Sequence, residues 1–528
     1  MTSSFRGRPR CARAHISARV AYAVVGGAVG VGWLVLPAMT INTDGPVAIS
    51  TDAPAVAAAP QDEKSSAADL VVPLVAAGTV GALAGYAYVR RTRRARTRTT
   101  PGGGSGDRAG AHTALPVSSP LTDLDQQSRA LLTEADDWVR TSREELGFAE
   151  ARFGSEAVAP FARAVRDAET ELSAAFRIRG RYDEGVPADE ASRRHVLAGI
   201  MGRCQEAGRL LDAEAAGFDQ LRALEGEFEE ALAVAETRFR ELAARTGTTE
   251  AALRDLAERY SSSATVPVTG YVEQAKDRLV FATTRLNQAR QAADWTDPGH
   301  VAHHLRAAEG AVAQADVLLT AADRLAAELG TATALLPATL TGAEAELSGI
   351  RGQTTGDGAP VGELSARVRH ADAVLAHVRN VATGGPYDPL DALRQIVEAT
   401  APLASGRTGV LSAAGLLVAR SATALADGFI ETHWSAVGSG ARLRLAEARR
   451  ALTVAPPDHL TADALARESR ELAERDVRLH GNPVAGAEHT SRVSGAVLGG
   501  VLLDGAPGGP PPSFGGPRTR ERRALPSL

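Results

Sequence analysis

The 528-residue sequence predicts an all-α protein: elongated helical hairpins packed as an antiparallel coiled-coil bundle, preceded by one or two transmembrane helices and followed by a disordered Gly/Pro-rich tail. Three observations carry that expectation. Aromatic residues make up only 4% of the chain, while alanine, leucine and arginine dominate its middle. Such a mixture loses little entropy in helices and lacks the β-branched and aromatic residues on which sheet cores depend. From Leu121 to about Leu479 the apolar positions recur at intervals of three and four. Ahead of that region lie two uncharged twenty-residue runs, Val20 to Met39 and Leu70 to Val89, each long enough to cross the ~30 Å hydrocarbon core of a bilayer.

Residues 1–19 form a basic leader with Arg6, Arg8, Arg10, Arg13 and Arg19. The run 20–39 reads either as the apolar region of a signal peptide, with the small-residue tract "AVAAAPQ" beyond it, or as a first transmembrane helix; cleavage and retention both stay open. Residues 40–69, with five acidic side chains against Lys64, suit a short extracytoplasmic linker. The second span, 70–89, ends in Tyr86 and Tyr88, whose amphipathic rings favour the interface. Directly after it come Arg90, Arg91, Arg93, Arg94, Arg96 and Arg98. Arginines that abut a span stay on the cytoplasmic side, so these six read as a stop-transfer flank and place the chain after about residue 90 in the cytoplasm. Attraction to anionic lipid, on the order of 1 kcal/mol per residue near the surface, accompanies that role. The glycine spacings Gly26 to Gly30 and Gly81 to Gly85 permit close helix approach, but glycine is common in apolar spans and no dimer follows.

Residues 90–120 join this flank to a tether, "PGGGSGDRAGAHTALPVSSP". No strand precedes its glycines and no lysine follows in phosphate-loop spacing. Within 121–480 the stretch from Leu211 to Leu242 reads as one amphipathic helix, with breaks expected at Gly154, Gly180 to Pro187, Gly247 to Thr248 and Gly384 to Pro386. A weak repeat runs through "AKDRLVFA" (275–282), "ARVRHADA" (366–373) and "ARLRLAEA" (441–448). Asp297-Pro298 and Asp388-Pro389 follow the first two copies and "PPDHL" (456–460) the third, so each unit reads as a helical hairpin whose second helix starts on an Asp cap. Bundle and repeat array remain alternatives. Residues 481–528 turn rich in glycine and proline and are expected to be disordered; "VSGAVLGGVLL" (493–503) is apolar but too short to span.

The net charge of -5 conceals an asymmetry: 13 basic against 6 acidic residues up to 119, then 45 against 57. The long acidic part argues against nucleic-acid binding. Cys11 and Cys204 give no disulfide framework or cysteine zinc site, and Cys204 reads as a small buried residue. His300 and His304 stand one helical turn apart, but no carboxylate lies between them and His303 is expected to point elsewhere, so surface histidines are the plainer reading. Consecutive helical residues diverge by about 100°, so Asp136-Asp137 and Glu144-Glu145 are expected on a solvated face rather than converging for acid–base chemistry. Trp138, Trp295 and Trp434 read as packing residues. No nucleophile elbow or phosphate-loop lysine motif is present, no cofactor or metal is expected, and the chain reads as a non-enzyme.

"TEADDWVRTSREELGFAEARFGSEAVAPFARAV", "AEGAVAQADVLL", "GGPYDPLDALRQI" and the ending "PPSFGGPRTRERR" resemble the helical region and glycine-rich tail of actinobacterial TPM-domain membrane proteins, over about residues 70 to 523. The resemblance implies a signal peptide, an extracytoplasmic TPM domain, one transmembrane helix and a cytoplasmic helical region. Where that family places its α/β TPM domain, this chain has only residues 40–69, too few to bury a core, so the phosphatase activity attributed to some TPM domains finds no residues here. The expected function is a scaffold or interaction module anchored in the bacterial cytoplasmic membrane. Its expected partners are membrane lipid and another protein packed helix to helix, a second copy included, with no nucleic acid and no small-molecule substrate. A regulatory subunit that pairs with a full-length TPM protein, and a hydrolase with an unrecognised site, are the alternatives.

Overall fold

Helix propensity and capping dictate where most elements start, and packing decides where several of them stop. The computed structural model describes residues 120–224, 228–294, 298–354, 361–403, 409–480 and 513–524, and among them every regular element is a helix. The segments 20–39 and 70–89, the arginines Arg90 to Arg98, and residues 493–503 lie outside the described residues.

Helices α1 (Leu121–Ala157), α2 (Ala159–Asp183) and α3 (Glu190–Arg222) pack together. Gly154 leaves the helical region at φ 81° and kinks the end of α1. Asp189 caps α3, accepting the Ser192 N–H at 2.8 Å. Leu132, Trp138, Leu172, Phe176, Ile200 and Leu211 fill the space between the three helices.

A second body forms around one long helix. It comprises α4 (Phe228–Arg259), the short α5 (Ser262–Thr265), α6 (Tyr271–Asp294), α7 (Pro298–Thr354), α8 (Val361–Gly384), α9 (Pro389–Thr400) and α10 (Gly409–His433). Helix α7 has 57 residues, and at 1.5 Å per residue it reaches about 85 Å. Against it lie α6, α4, α10, α9 and α1, with Leu279, Leu318, Leu325, Ile396 and Val418 buried between them. Gly409–Ala436 is long and apolar enough to cross a membrane, yet Leu411, Ala414, Val418, Ala426 and Ile430 within it are buried against neighbouring helices. Helices α11 (Ser439–Thr453) and α12 (His459–Leu479) complete the main body against α10, and α13 (Pro517–Ala524) docks on α3.

The three repeat units are helical hairpins: α6–α7, α8–α9 and α11–α12. Asp388 accepts the Asp391 N–H at 3.0 Å and Asp458 the Thr461 N–H at 3.1 Å, the caps that the Asp signals imply. Asp297 lies outside the described residues. The hairpins do not stack in series, because α7 also meets α1 and α10 from distant parts of the chain.

Three expectations need correction. The stretch Leu211 to Leu242 is two helices: Ala223 takes a left-handed conformation, φ 44°, and ends α3 where Arg222 is held by an ion pair, and Gly226, between the two helices in sequence, is the local signal for the break. At Gly247-Thr248, α4 runs on; the Thr246 and Thr248 hydroxyls bond back to the carbonyls of Ala243 and Arg245, and Thr249 is buried and donates to Asp323. Part of the tail expected to be disordered has a fixed place, since Ser513 to Arg520 packs onto the first three-helix group and α13 follows from Pro517.

Arg278, the fourth residue of the first repeat copy, is 0% exposed on α6, and none of its three side-chain nitrogens has a hydrogen-bond partner among the described residues. Burial lowers its pKa. An unpaired buried cation costs stability that an apolar side chain of similar length does not. Arg278→Met is expected to raise unfolding stability by about 1–4 kcal/mol in denaturant titration; a loss of stability would contradict the uncompensated burial.

Candidate functional site

At its middle, α1 is enclosed on most of its circumference, with Arg143 exposed, and this determines its chemistry. Leu132, Ala135, Trp138, Val139, Leu146, Phe148 and Ala149 are all buried, and so are Asp136, Arg140, Ser142 and Glu145 between them. Enclosed charges need partners. They find them in two clusters set nine residues apart, about 180° around the helix axis.

In the first cluster, Asp136 Oδ2 accepts from Arg140 Nε at 2.8 Å and from Arg442 Nη1 of α11 at 2.6 Å. Arg442 Nη1 also donates to Asp137 Oδ1 at 2.6 Å, Nε to the Val437 carbonyl at 3.1 Å and Nη2 to the Trp434 carbonyl at 2.5 Å. Burial pushes the Asp136 carboxyl up, but the Arg140 and Arg442 guanidiniums outweigh it and hold it at about 2. For Asp137 burial wins, with Asp136 adding to it against Arg442, and its pKa rises to about 6. An open cleft of about 710 Å³ lies over this cluster, between α1, α2 and α11, with Arg143, Arg166, Arg177 and Arg450 on its walls. Its lining suits an anion better than a cation.

In the second cluster, Glu145 Oε1 accepts from Arg306 Nε of α7 at 3.0 Å, and Arg222 Nε of α3 stands 3.8 Å away. Arg222 Nη2 donates to Glu309 Oε2 at 2.6 Å, with both side chains almost fully buried. The adjacent Glu144 leans over Gly310, where a Cβ would meet its Oε1 at 2.9 Å. Burial, then the carboxylates of Glu431, Glu309 and Glu145, raise its pKa to about 8.

Glu145 has a second task. Its Oε2 accepts the backbone N–H of Phe514 at 2.5 Å, so the same carboxylate belongs to the ion cluster and to the C-terminal segment. Beside it the Ser142 hydroxyl accepts the Gly515 N–H at 3.2 Å. Phe514 is 0% exposed; its ring stacks on Phe218 with centroids 4.3 Å apart and meets Phe161 edge-on. Asp212 of α3 caps the start of α13 from outside: it accepts the N–H groups of Gly516 at 2.9 Å, Arg518 at 3.2 Å and Thr519 at 3.0 Å, and the Thr519 hydroxyl at 2.7 Å. A carboxylate at a helix N-terminus is favoured by both orphan donors and dipole.

The backbones of tail and body touch. A Cβ on Gly516 would lie 2.1 Å from the Gly208 carbonyl oxygen, and one on Gly208 would strike Pro517 at 2.6 Å and the Trp138 ring at 2.9 Å. Gly515 adopts φ 127°, a conformation that side chains resist. The Gly-Gly pair is therefore a steric requirement.

Of the residues that the sequence singles out, Arg90, Arg91, Arg93, Arg94, Arg96 and Arg98 lie outside the described residues, as does Trp295. The reading of Asp136-Asp137 and Glu144-Glu145 as a solvated face is overturned. Members of each pair do diverge, but the middle of α1 is largely surrounded, and Asp136 and Glu145 each meet arginines of other helices. The apolar residues at Trp138, Val139, Leu146 and Phe148, on both sides of the helix, were the available signal. His303 does not point elsewhere: its ring stands 5.3 Å from His304, while His300 is 6.4 Å away. Burial and the nearby His303, Arg285 and His300 charges lower the His304 pKa, and no group of metal-ligating side chains forms among the described residues. Cys204 is buried, its thiol pushed up to about 12 by burial. Trp138 packs against Gly208 beside the docked tail, a contact the sequence did not disclose.

No family model and no solved structure matches the chain. Two UPF0603 proteins of Mycobacterium tuberculosis, from strains CDC 1551 / Oshkosh and ATCC 25618 / H37Rv, are each 30% identical to it over 439 residues. The match takes in 75% of this chain and 65% of each relative, so the chain spans less than two thirds of their length.

Arg442→Ala is expected to cost about 3–5 kcal/mol in denaturant unfolding, because it strands Asp137 and leaves Asp136 with Arg140 alone; a loss below about 1 kcal/mol, the range of an exposed pair, would contradict the pairing. The folded protein holds the Glu144 proton more tightly than the unfolded chain, so stability should fall as pH rises from about 4.5 to about 8. Asp136 acts in a different window, its contribution vanishing as pH falls from about 3.8 toward about 2. Thermal melts of Glu144→Gln should show a smaller slope between about pH 6 and 8, above the window in which Asp137 contributes; an unchanged slope there would remove Glu144 as its source.

Proposed function

We propose that the chain is a membrane-anchored helical scaffold at the bacterial cytoplasmic membrane, held by the apolar segment 70–89, with 20–39 as a signal-peptide region or a first span and the helical body in the cytoplasm. The observation that carries this reading is α7, a single helix of 57 residues with α1, α4, α6, α9 and α10 packed along it. Such a spine presents surfaces at fixed separations, which is what a scaffold requires. The enclosed charges support the same reading, since Asp136, Glu145 and Glu309 are engaged in tying helices together. The arginines from Arg90 to Arg98 supply the orienting charge and contact anionic lipid.

A second reading follows from the comparison. The relatives extend beyond the shared part, and in the TPM reading of the sequence the missing part is the extracytoplasmic domain. On that reading the chain is a regulatory subunit that packs its helices against a full-length TPM protein. Affinity capture of the tagged chain from its own membranes distinguishes the two: recovery of a TPM-domain protein in stoichiometric amount favours the subunit, and recovery of the chain without one favours the scaffold.

The anchoring itself has a direct test. In intact spheroplasts a C-terminal tag should survive added protease and be lost only after lysis; digestion before lysis would overturn the topology.

A further inference from the structure

The contact between the body and residues 513–520 is built like a ligand site. Its floor is made of buried polar groups on α1: Ser142 at 0% exposed and Glu145 at 6% accept backbone N–H groups of the bent segment at Phe514 and Gly515. Phe161 and Phe218 form a slot filled by one aromatic ring. Gly208 opens a gap into which the peptide backbone itself fits. Asp212, on the next turn of α3, receives the start of a helix. These four features read four successive parts of a peptide: an aromatic residue, a Gly-Gly turn, a proline that opens a helix, and a threonine whose hydroxyl completes the cap.

From this geometry we infer that the groove between α1 and α3 is a peptide-recognition site for an aromatic-Gly-Gly-Pro-x-Thr segment, occupied by the chain's own C-terminus and able to take the same segment of a second copy. The inference does not depend on the membrane assignment. Occupancy follows from connectivity. Residues 481–512 join the segment to α12, and tethering gives it an effective concentration on the order of millimolar at its seat. The contact joins one buried aromatic ring to backbone hydrogen bonds from Phe514, Gly515, Gly516, Arg518 and Thr519 and to side-chain bonds from Thr519 and Arg520. On this inference the groove exchanges its own segment for that of a second copy when copies are crowded to comparable concentrations. The segment is thus a tethered ligand rather than a fixed part of the core.

The probe is a fluorescein-labelled synthetic peptide of residues 513–524, standing for the segment of a second copy. Its binding to the full chain carrying Phe514→Ala, whose own ligand is disabled while the groove is intact, should be at least tenfold tighter by fluorescence anisotropy than its binding to the wild-type chain. The same peptide with Gly516→Ala should lose at least tenfold. Should the Phe514→Ala chain fail to fold by circular dichroism, the full chain carrying Gly516→Ala vacates the groove by another route and serves instead. Equal affinity for wild-type and vacated chains, no binding to a vacated chain at millimolar peptide, or equal affinity of the two peptides would each overturn the inference.

Discussion

Charges enclosed in a low-dielectric interior have to be paired, and the middle of α1 carries several that no rotation of the helix could turn to water. Asp136 and Glu145 look in opposite directions around the axis, so no orientation of α1 frees both. The fold supplies Arg442 to one and Arg306 with Arg222 to the other, and these arginines belong to α11, α7 and α3. The requirement of pairing thereby fixes how the first three-helix group meets the rest of the body. Apolar packing alone would not discriminate so sharply, because alanine and leucine faces slide past one another with small losses. Ion pairs with arginine forks hold to one register.

The groove inherits its electrostatics from this arrangement. Glu145 is shared between the two: its Oε2 accepts the Phe514 N–H while Arg306 and Arg222 stand beside its other oxygen. Asp212 is set against the N-terminal donors of a helix. The tail is therefore gripped by two carboxylates, one tied into the interior ion cluster and one set at the start of the helix it holds.

Much of the fold was legible in the residues. Apolar spacing and Asp caps mark the hairpins, as at Asp388 and Asp458, because caps act locally. Local signals failed where a distant partner decides. Ala223 turns left-handed beside an arginine paired with Glu309, 87 residues away in sequence, and the apolar spacing runs through the break and hides it, although Gly226 lies three residues on. Gly247 reads as a break, yet α4 continues because Thr249 reaches Asp323. The site was less legible still. A glycine- and proline-rich tail reads as disordered by composition, whereas Gly516 serves a close backbone contact with Gly208, a role visible only once both surfaces are in place. Adjacent acids on a helix read as solvated because periodicity cannot place the arginines that reach them from distant helices.

Hydrogen–deuterium exchange on a chain carrying Arg306→Met tests most directly whether the interior ion cluster governs the groove. If it does, amides of residues 514–519 exchange at least tenfold faster than in the wild type, while those of α7 between Leu318 and Leu336 keep their protection. Unchanged protection of residues 514–519 would show that Glu145 holds the tail without help from the cluster, and the dependence of the groove on interior pairing would be refuted.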